Sequence, residues 1–135
     1  MASQRSFIFP LVPLSFAAIL VFLSGCIAAA AGGAAGTVAY LRGGLSGQLE
    51  ARHHLIYRAI LESVEAKQFT LLEENLDGLS ARVVARSEAA DKKITYTVKP
   101  MTAGVSTMMI RIGVLGDENL SRLLFDDVRQ RLNLR

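Results

Sequence analysis

Two histidines stand side by side at His53-His54, carboxylates are doubled at Glu73-Glu74 and at Asp126-Asp127, and the one thiol is Cys26. These side chains could ligate a metal, move a proton or attack a carbonyl, so their spacing matters. Neighbours on a helix point ~100° apart, and the two imidazoles therefore cannot reach one metal ion from one face. The spacings HxxxH, CxxC and HExxH do not occur. A working acid–base pair of carboxylates needs separation across a cleft, whereas carboxylates adjacent in sequence are by default solvated charge. GxSxG, GxxxxGK[ST] and GxGxxG are absent as well. The glycines Gly113 and Gly116 precede a helix that could hold an anion at its N-terminus, but Asp117 and Glu118 would repel one, so that segment reads as turn and cap. The residues propose no catalytic set, no metal site and no cofactor.

The elements that would have to position such groups are unevenly built. The chain has 135 residues, 15 Lys and Arg against 12 Asp and Glu, and a net charge of +3. The charges are mixed and form no basic block, which points away from nucleic acid as a partner. Between Arg5 and Arg42 there is no charged residue at all, while the rest of the chain has ordinary charge density. A biased N-terminal segment thus precedes one domain. A lone cysteine forms no internal disulfide, so that domain is held by its core.

The N-terminal segment runs from a short start with one positive charge, Arg5, into the apolar stretch FIFPLVPLSFAAILVFL at 7–23. The small residues Ser24 and Gly25 follow, the order of a secretory signal. A transmembrane helix needs roughly 20 apolar residues and tolerates Pro10 and Pro13, so length alone leaves a single-pass signal anchor open. Leu23-Ser24-Gly25-Cys26 then resembles the lipobox of bacterial lipoproteins: an aliphatic residue, two small residues, cysteine. The resemblance implies a diacylglycerol on the Cys26 thiol, cleavage between Gly25 and Cys26, and acylation of the new amino group. Small side chains let an extended segment enter a protease at the membrane face, and a thiolate is the nucleophile a thioether needs. In enteric-type Gram-negative cells an aspartate after the cysteine retains lipoproteins in the inner membrane. Ile27 stands there instead, which implies the outer membrane. On this reading 1–25 is a signal peptide, 26–44 is the lipidated cysteine plus an Ala/Gly-rich tether, and 45–135 is the folded domain. Gly32 and Gly36 also have the spacing that packs membrane helices, but a flexible spacer is the simpler reading of that composition.

In the folded part, periodicity becomes readable. LSGQLEA at 45–51 alternates roughly and predicts a first strand. Over 53–68, Ile56, Ile60 and Val64 recur at helical period, with Leu55, Ala59 and Ser63 beside them and Arg58, Glu62, Glu65 and Lys67 opposite. FTLLEENL at 69–76 predicts a second strand, closed by Asp77-Gly78, a favoured two-residue hairpin turn. The strand at 79–88 would bury Leu79, Ala81, Val83 and Ala85, with Arg82 and Arg86 outward. That at 93–100 alternates most cleanly, Ile94, Tyr96 and Val98 against Thr95, Thr97 and Lys99. The strand at 105–114 would bury Met108, Ile110, Ile112 and Val114. Among the methionines, Met101, Met108 and Met109 read as core fillers rather than the lining of an apolar groove. Asp117 is a good N-cap for a last helix with Leu120, Leu123, Leu124, Val128 and Leu132 as its apolar stripe. The prediction is an α+β two-layer sandwich: about five antiparallel strands, in the order β-α-β-β-β-β-α, covered by two helices.

Taken whole, the chain resembles a family of small bacterial lipoproteins, Gram-negative in type, that share a C-terminal domain of unknown function. The resemblance is carried by the motif at 23–26, the Ala/Gly stretch, YLRGGLSGQLEA, LDGLSARVVAR and RIGVLGDENLSRLLFDDVRQRL. It implies a place and a fold, and no catalytic residues. The functional expectation is a non-catalytic interaction or structural protein on the periplasmic side of the envelope, held to the membrane by lipid and meeting an envelope protein. A module that binds an apolar ligand or lipid between sheet and helices is the alternative, and an enzyme ranks last.

Overall fold

The computed structural model describes residues 38–133. In chain order the elements are β1 (Val38–Leu41), β2 (Gly44–Leu49), α1 (His53–Ala66), β3 (Thr70–Leu76), β4 (Ala81–Ser87), β5 (Lys92–Thr102), β6 (Val105–Ile112) and α2 (Glu118–Asn133). The strands form one open sheet in the order β1-β2-β6-β5-β4-β3, every neighbouring pair antiparallel. Helix α1 carries the chain from β2 to the far edge, and the meander β3-β4-β5-β6 returns to pair with β2. The α+β architecture is the expected one.

One row of register partners shows how the core is assembled. Leu45 pairs with Ile110, Ile110 with Tyr96 and Tyr96 with Val83. All four are buried on the face that α1 and α2 cover. The helices contribute Ile56, Ala59, Ile60 and Val64 from α1 and Leu124, Phe125 and Val128 from α2 to one cluster with the strand residues. At about 25 cal/mol per Å² of apolar surface this burial is the main stabilising term for a domain without disulfides. The opposite face carries Thr95, Thr97, Lys99, Met109 and Arg111 and faces outward, as antiparallel sheets permit. Val84, at the centre of the β3–β4–β5 end of that face, is nevertheless buried.

The helix ends follow local chemistry. Asp117 caps α2: its carboxylate accepts from the Leu120 amide at 3.0 Å, and its carbonyl accepts from Ser121 at 3.0 Å. Helix α1 ends in a Schellman arrangement, with Phe69 N donating to Val64 O and Gln68 N to Glu65 O, both at 3.0 Å. Gln68 sits in the left-handed region there, at φ 56°.

Several expectations are corrected. The sheet has six strands rather than about five, because Val38–Leu41 pairs with Gly44–Leu49 as an edge strand. That strand lies inside the stretch 26–44 read as tether. Its Val38 and Tyr40 pack on the core, which a short Ala/Gly-flanked segment does not advertise. The β3–β4 turn is not built on left-handed Asp77 and Gly78, neither of which has a positive φ. Instead the Asp77 carboxylate accepts from the amides of Leu79 and Ser80, each at 2.7 Å, an Asx turn. Leu79 and Val114, expected inside, are 83% and 85% exposed because the strands end before reaching them. Of the three methionines Met108 is core, while Met101 and Met109 are about half exposed. In α2, Phe125 replaces the exposed Leu123 on the buried stripe. Phe125 fits because Gly47 on β2 lacks a side chain: a Cβ there would stand 2.6 Å from the ring.

Candidate functional site

The candidate residues fall in separate places. The motif 23–26, with Cys26, lies outside the described residues, as does the tether up to Val38. His53 and His54 open α1. Their rings meet edge to face, with centroids 5.9 Å apart and planes at 85°. His53 Nε2 lies 3.0 Å from the Asp77 carbonyl oxygen, which can only accept, so Nε2 carries the proton. Beside them Arg52 and the β5–β6 turn line a shallow depression of about 440 Å³.

The doubled carboxylates do not act as pairs. Glu73 and Glu74 alternate across the sheet: Glu73 lies 3.7 Å from Arg82 on the outer face, and Glu74 accepts from the Tyr57 hydroxyl of α1 at 3.0 Å. Asp126 is exposed and bonded to Arg129 at 2.8 Å. Asp127, one residue on, turns into the seam between the helices. It accepts from Ser63 Oγ of α1 at 2.5 Å and from Arg131 Nε at 3.0 Å, and Lys67 Nζ approaches to 3.8 Å. Partial burial pushes the Asp127 carboxyl up, but Arg131, Ser63 and Lys67 outweigh it and hold it below the usual carboxylate range.

Beneath this seam lies the Tyr96 hydroxyl, fully buried and without a hydrogen-bond partner. Burial, and secondarily the nearby Asp127 charge, push its ionisation well above the ordinary tyrosine range. Ser121 of α2 has a second buried hydroxyl without a partner. The Ser63–Asp127 contact has the atoms of a hydrolase dyad without its logic. The carboxylate accepts the hydroxyl proton directly and is itself neutralised by two cations, so it is a poor base, and no imidazole stands between them. His53 is ten residues away on the same helix, about 15 Å. What the arrangement does is tie α1 to α2. Sequence reading missed it because Ser63 reads only as a small residue beside the apolar face of its helix and Asp127 as one of two solvated acids.

Among the described residues no group of three His, Cys, Asp or Glu is placed to hold a metal ion. No helix among them is long and apolar enough to cross a membrane.

The chain is thus a single-sheet α+β protein whose described part presents helices on one face and an outward sheet on the other. The family model described as "Protein of unknown function (DUF3568)" matches residues 10–131, and the chain belongs to that family. No curated protein matches it.

Proposed function

We propose that this chain is a lipid-anchored protein of the bacterial cell envelope that acts by binding rather than by catalysis. The observation that carries the reading is Leu23-Ser24-Gly25-Cys26, set behind an apolar stretch in a chain without charge from residue 6 to residue 41. The family match begins at residue 10 and so takes in most of the apolar stretch and the cysteine as well as most of the domain. Each buried methylene contributes ~0.8 kcal/mol, and two or three acyl chains together hold a protein almost irreversibly. Ile27 after the cysteine favours the outer membrane, with the domain in the periplasm and an envelope protein as its partner. The side chains assembled in the domain bind one another, as at Ser63, Asp127 and Arg131, rather than converging on a reacting atom.

Metabolic labelling with radioactive palmitate tests the anchor. Label enters the wild-type protein, and Cys26→Ala abolishes it and accumulates the unprocessed chain. Equal labelling of both would overturn the reading. Cross-linking in intact cells, with identification of the captured protein, tests the binding role.

A further inference from the structure

Two turns meet at one end of the sheet. The β1–β2 turn, Arg42-Gly43, packs against the backbone of Leu115 and Gly116, where the chain leaves β6 for α2. The contact is close: a Cβ on Gly116 would stand 2.5 Å from the Gly43 carbonyl oxygen and closer still to the Tyr40 hydroxyl. Both glycines take positive φ, 77° and 82°. With the backbones locked together, the side chains on either side are turned to solvent. Leu41, Val114 and Leu115 are 70%, 85% and 91% exposed, three of the four most exposed large apolar side chains among the described residues.

Cations lie beside these three, and the two acids that follow, Asp117 and Glu118, are paired with Lys92 and Arg122. Arg42 lies in the first turn. Lys93 and Arg111, with Val114, line a depression of about 330 Å³ beside the second turn. Arg111 donates to the Val114 carbonyl at 3.2 Å, which holds the guanidinium next to the apolar side chains. Arg86 and Lys92 nearby are tied to Asp91 and Asp117. Arg42, Lys93 and Arg111 have no carboxylate partner among the described residues.

We propose that these paired turns are a docking tip for an anionic phospholipid bilayer, with Leu41, Val114 and Leu115 entering the headgroup boundary and Arg42, Lys93 and Arg111 meeting lipid phosphates. Exposed aliphatic side chains beside unpaired cations match both parts of such a surface. The length of chain before the sheet places the surface within reach, given the anchored reading of Cys26 on which the proposal rests. Twelve residues from Cys26 to Val38 span at most about 40 Å. The sheet itself is about 24 Å across its five inter-strand gaps. Strand β1 then leads in four residues from the tether to Leu41 at the tip. A patch held this near a bilayer works at high effective concentration, so a small contact suffices.

The test uses the processed, lipidated protein with Leu115→Cys or, at the opposite end of the sheet, Leu79→Cys, each carrying a polarity-sensitive fluorophore. The protein is reconstituted into phosphatidylcholine vesicles with or without phosphatidylglycerol, and quenching by a spin-labelled lipid is read. The label at 115 is expected to be quenched in the anionic vesicles, and the label at 79 is not. Replacing Arg42, Lys93 and Arg111 by Gln lowers the docking constant about fivefold per cation. Equal quenching at both positions, or quenching indifferent to phosphatidylglycerol, overturns the proposal. So does a shift at 115 that grows with protein concentration without vesicles, which would assign the tip to a second copy of the chain. Flotation with vesicles in high salt reads the anchor separately. A chain 26–135 with Cys26→Ala, made without residues 1–25, does not float in high salt, yet at low salt its label at 115 is still quenched by anionic vesicles.

Discussion

The Ser63 hydroxyl donates to the Asp127 carboxylate at 2.5 Å, joining α1 to α2 through residues 64 apart in sequence. Because Arg131 and Lys67 also face that carboxylate, one side chain organises the seam over the buried Tyr96. Asp127→Asn keeps the shape and removes the charge. It is expected to destabilise the domain by about 1 kcal/mol, the solvent at the seam discounting the full value of a charged hydrogen bond, as measured by urea unfolding at neutral pH.

The same carboxylate sets a pH dependence. Its folded pKa lies below the unfolded value, as do those of Asp77, held by the Leu79 and Ser80 amides, and Asp117, held by the Leu120 amide and Lys92. For a lowered acid, stability is fully present above the unfolded pKa and is lost as pH falls through the folded one. Thermal unfolding midpoints should therefore fall from about pH 5 downward, the range in which aspartates take up protons. Asp127→Asn should show a shallower fall, and identical slopes would remove Asp127 from this role.

Tyr96 predicts the opposite limb. Its ionisation is raised in the fold, so the unfolded chain loses that proton first and stability drops above about pH 10. Tyr96→Phe deletes a buried hydroxyl without a partner. It is expected to leave stability unchanged or raise it by about 1 kcal/mol at neutral pH, and to flatten the alkaline limb of a melting-temperature profile. A marked loss at neutral pH would mean that the hydroxyl is satisfied in solution.

Gly47 and Phe125 form a size-matched pair. Gly47→Ala pushes a methyl group into the Phe125 ring and is expected to cost about 2 kcal/mol, as overpacking does. Phe125→Leu in the Gly47→Ala chain should cost less than the sum of the two single changes, and a double-mutant cycle by chemical denaturation measures the difference.

Gln68 predicts a gain. Its left-handed conformation at the end of α1 suits glycine, so Gln68→Gly is expected to stabilise by about 1 kcal/mol, the strain removed exceeding the entropy lost. Differential scanning calorimetry would show a higher melting temperature, and a lower one would refute the account.

What the chain dictates by itself is the local part of this structure. The alternation of Ile94, Tyr96 and Val98, the helical recurrence of Ile56, Ile60 and Val64, and the cap at Asp117 are set by residues within a few positions of one another. Their geometry is that of the strand or helix itself, so they are legible without knowing what packs on them. The candidate site was partly legible for the same reason: adjacent His53 and His54 diverge on any helix. Tertiary structure decided whatever depends on partners distant in sequence. Val38–Leu41 becomes a strand because Gly44–Leu49 returns beside it. Asp127 differs from Asp126 because Ser63 waits across the seam, and Gly47 is size-restricted because Phe125 arrives from another element. Leu79 and Val114 continue the apolar pattern of their strands yet face water, since the pairing that would bury them has already ended. Periodicity records which face a residue takes, and only the packed sheet and helices determine where that face stops being covered.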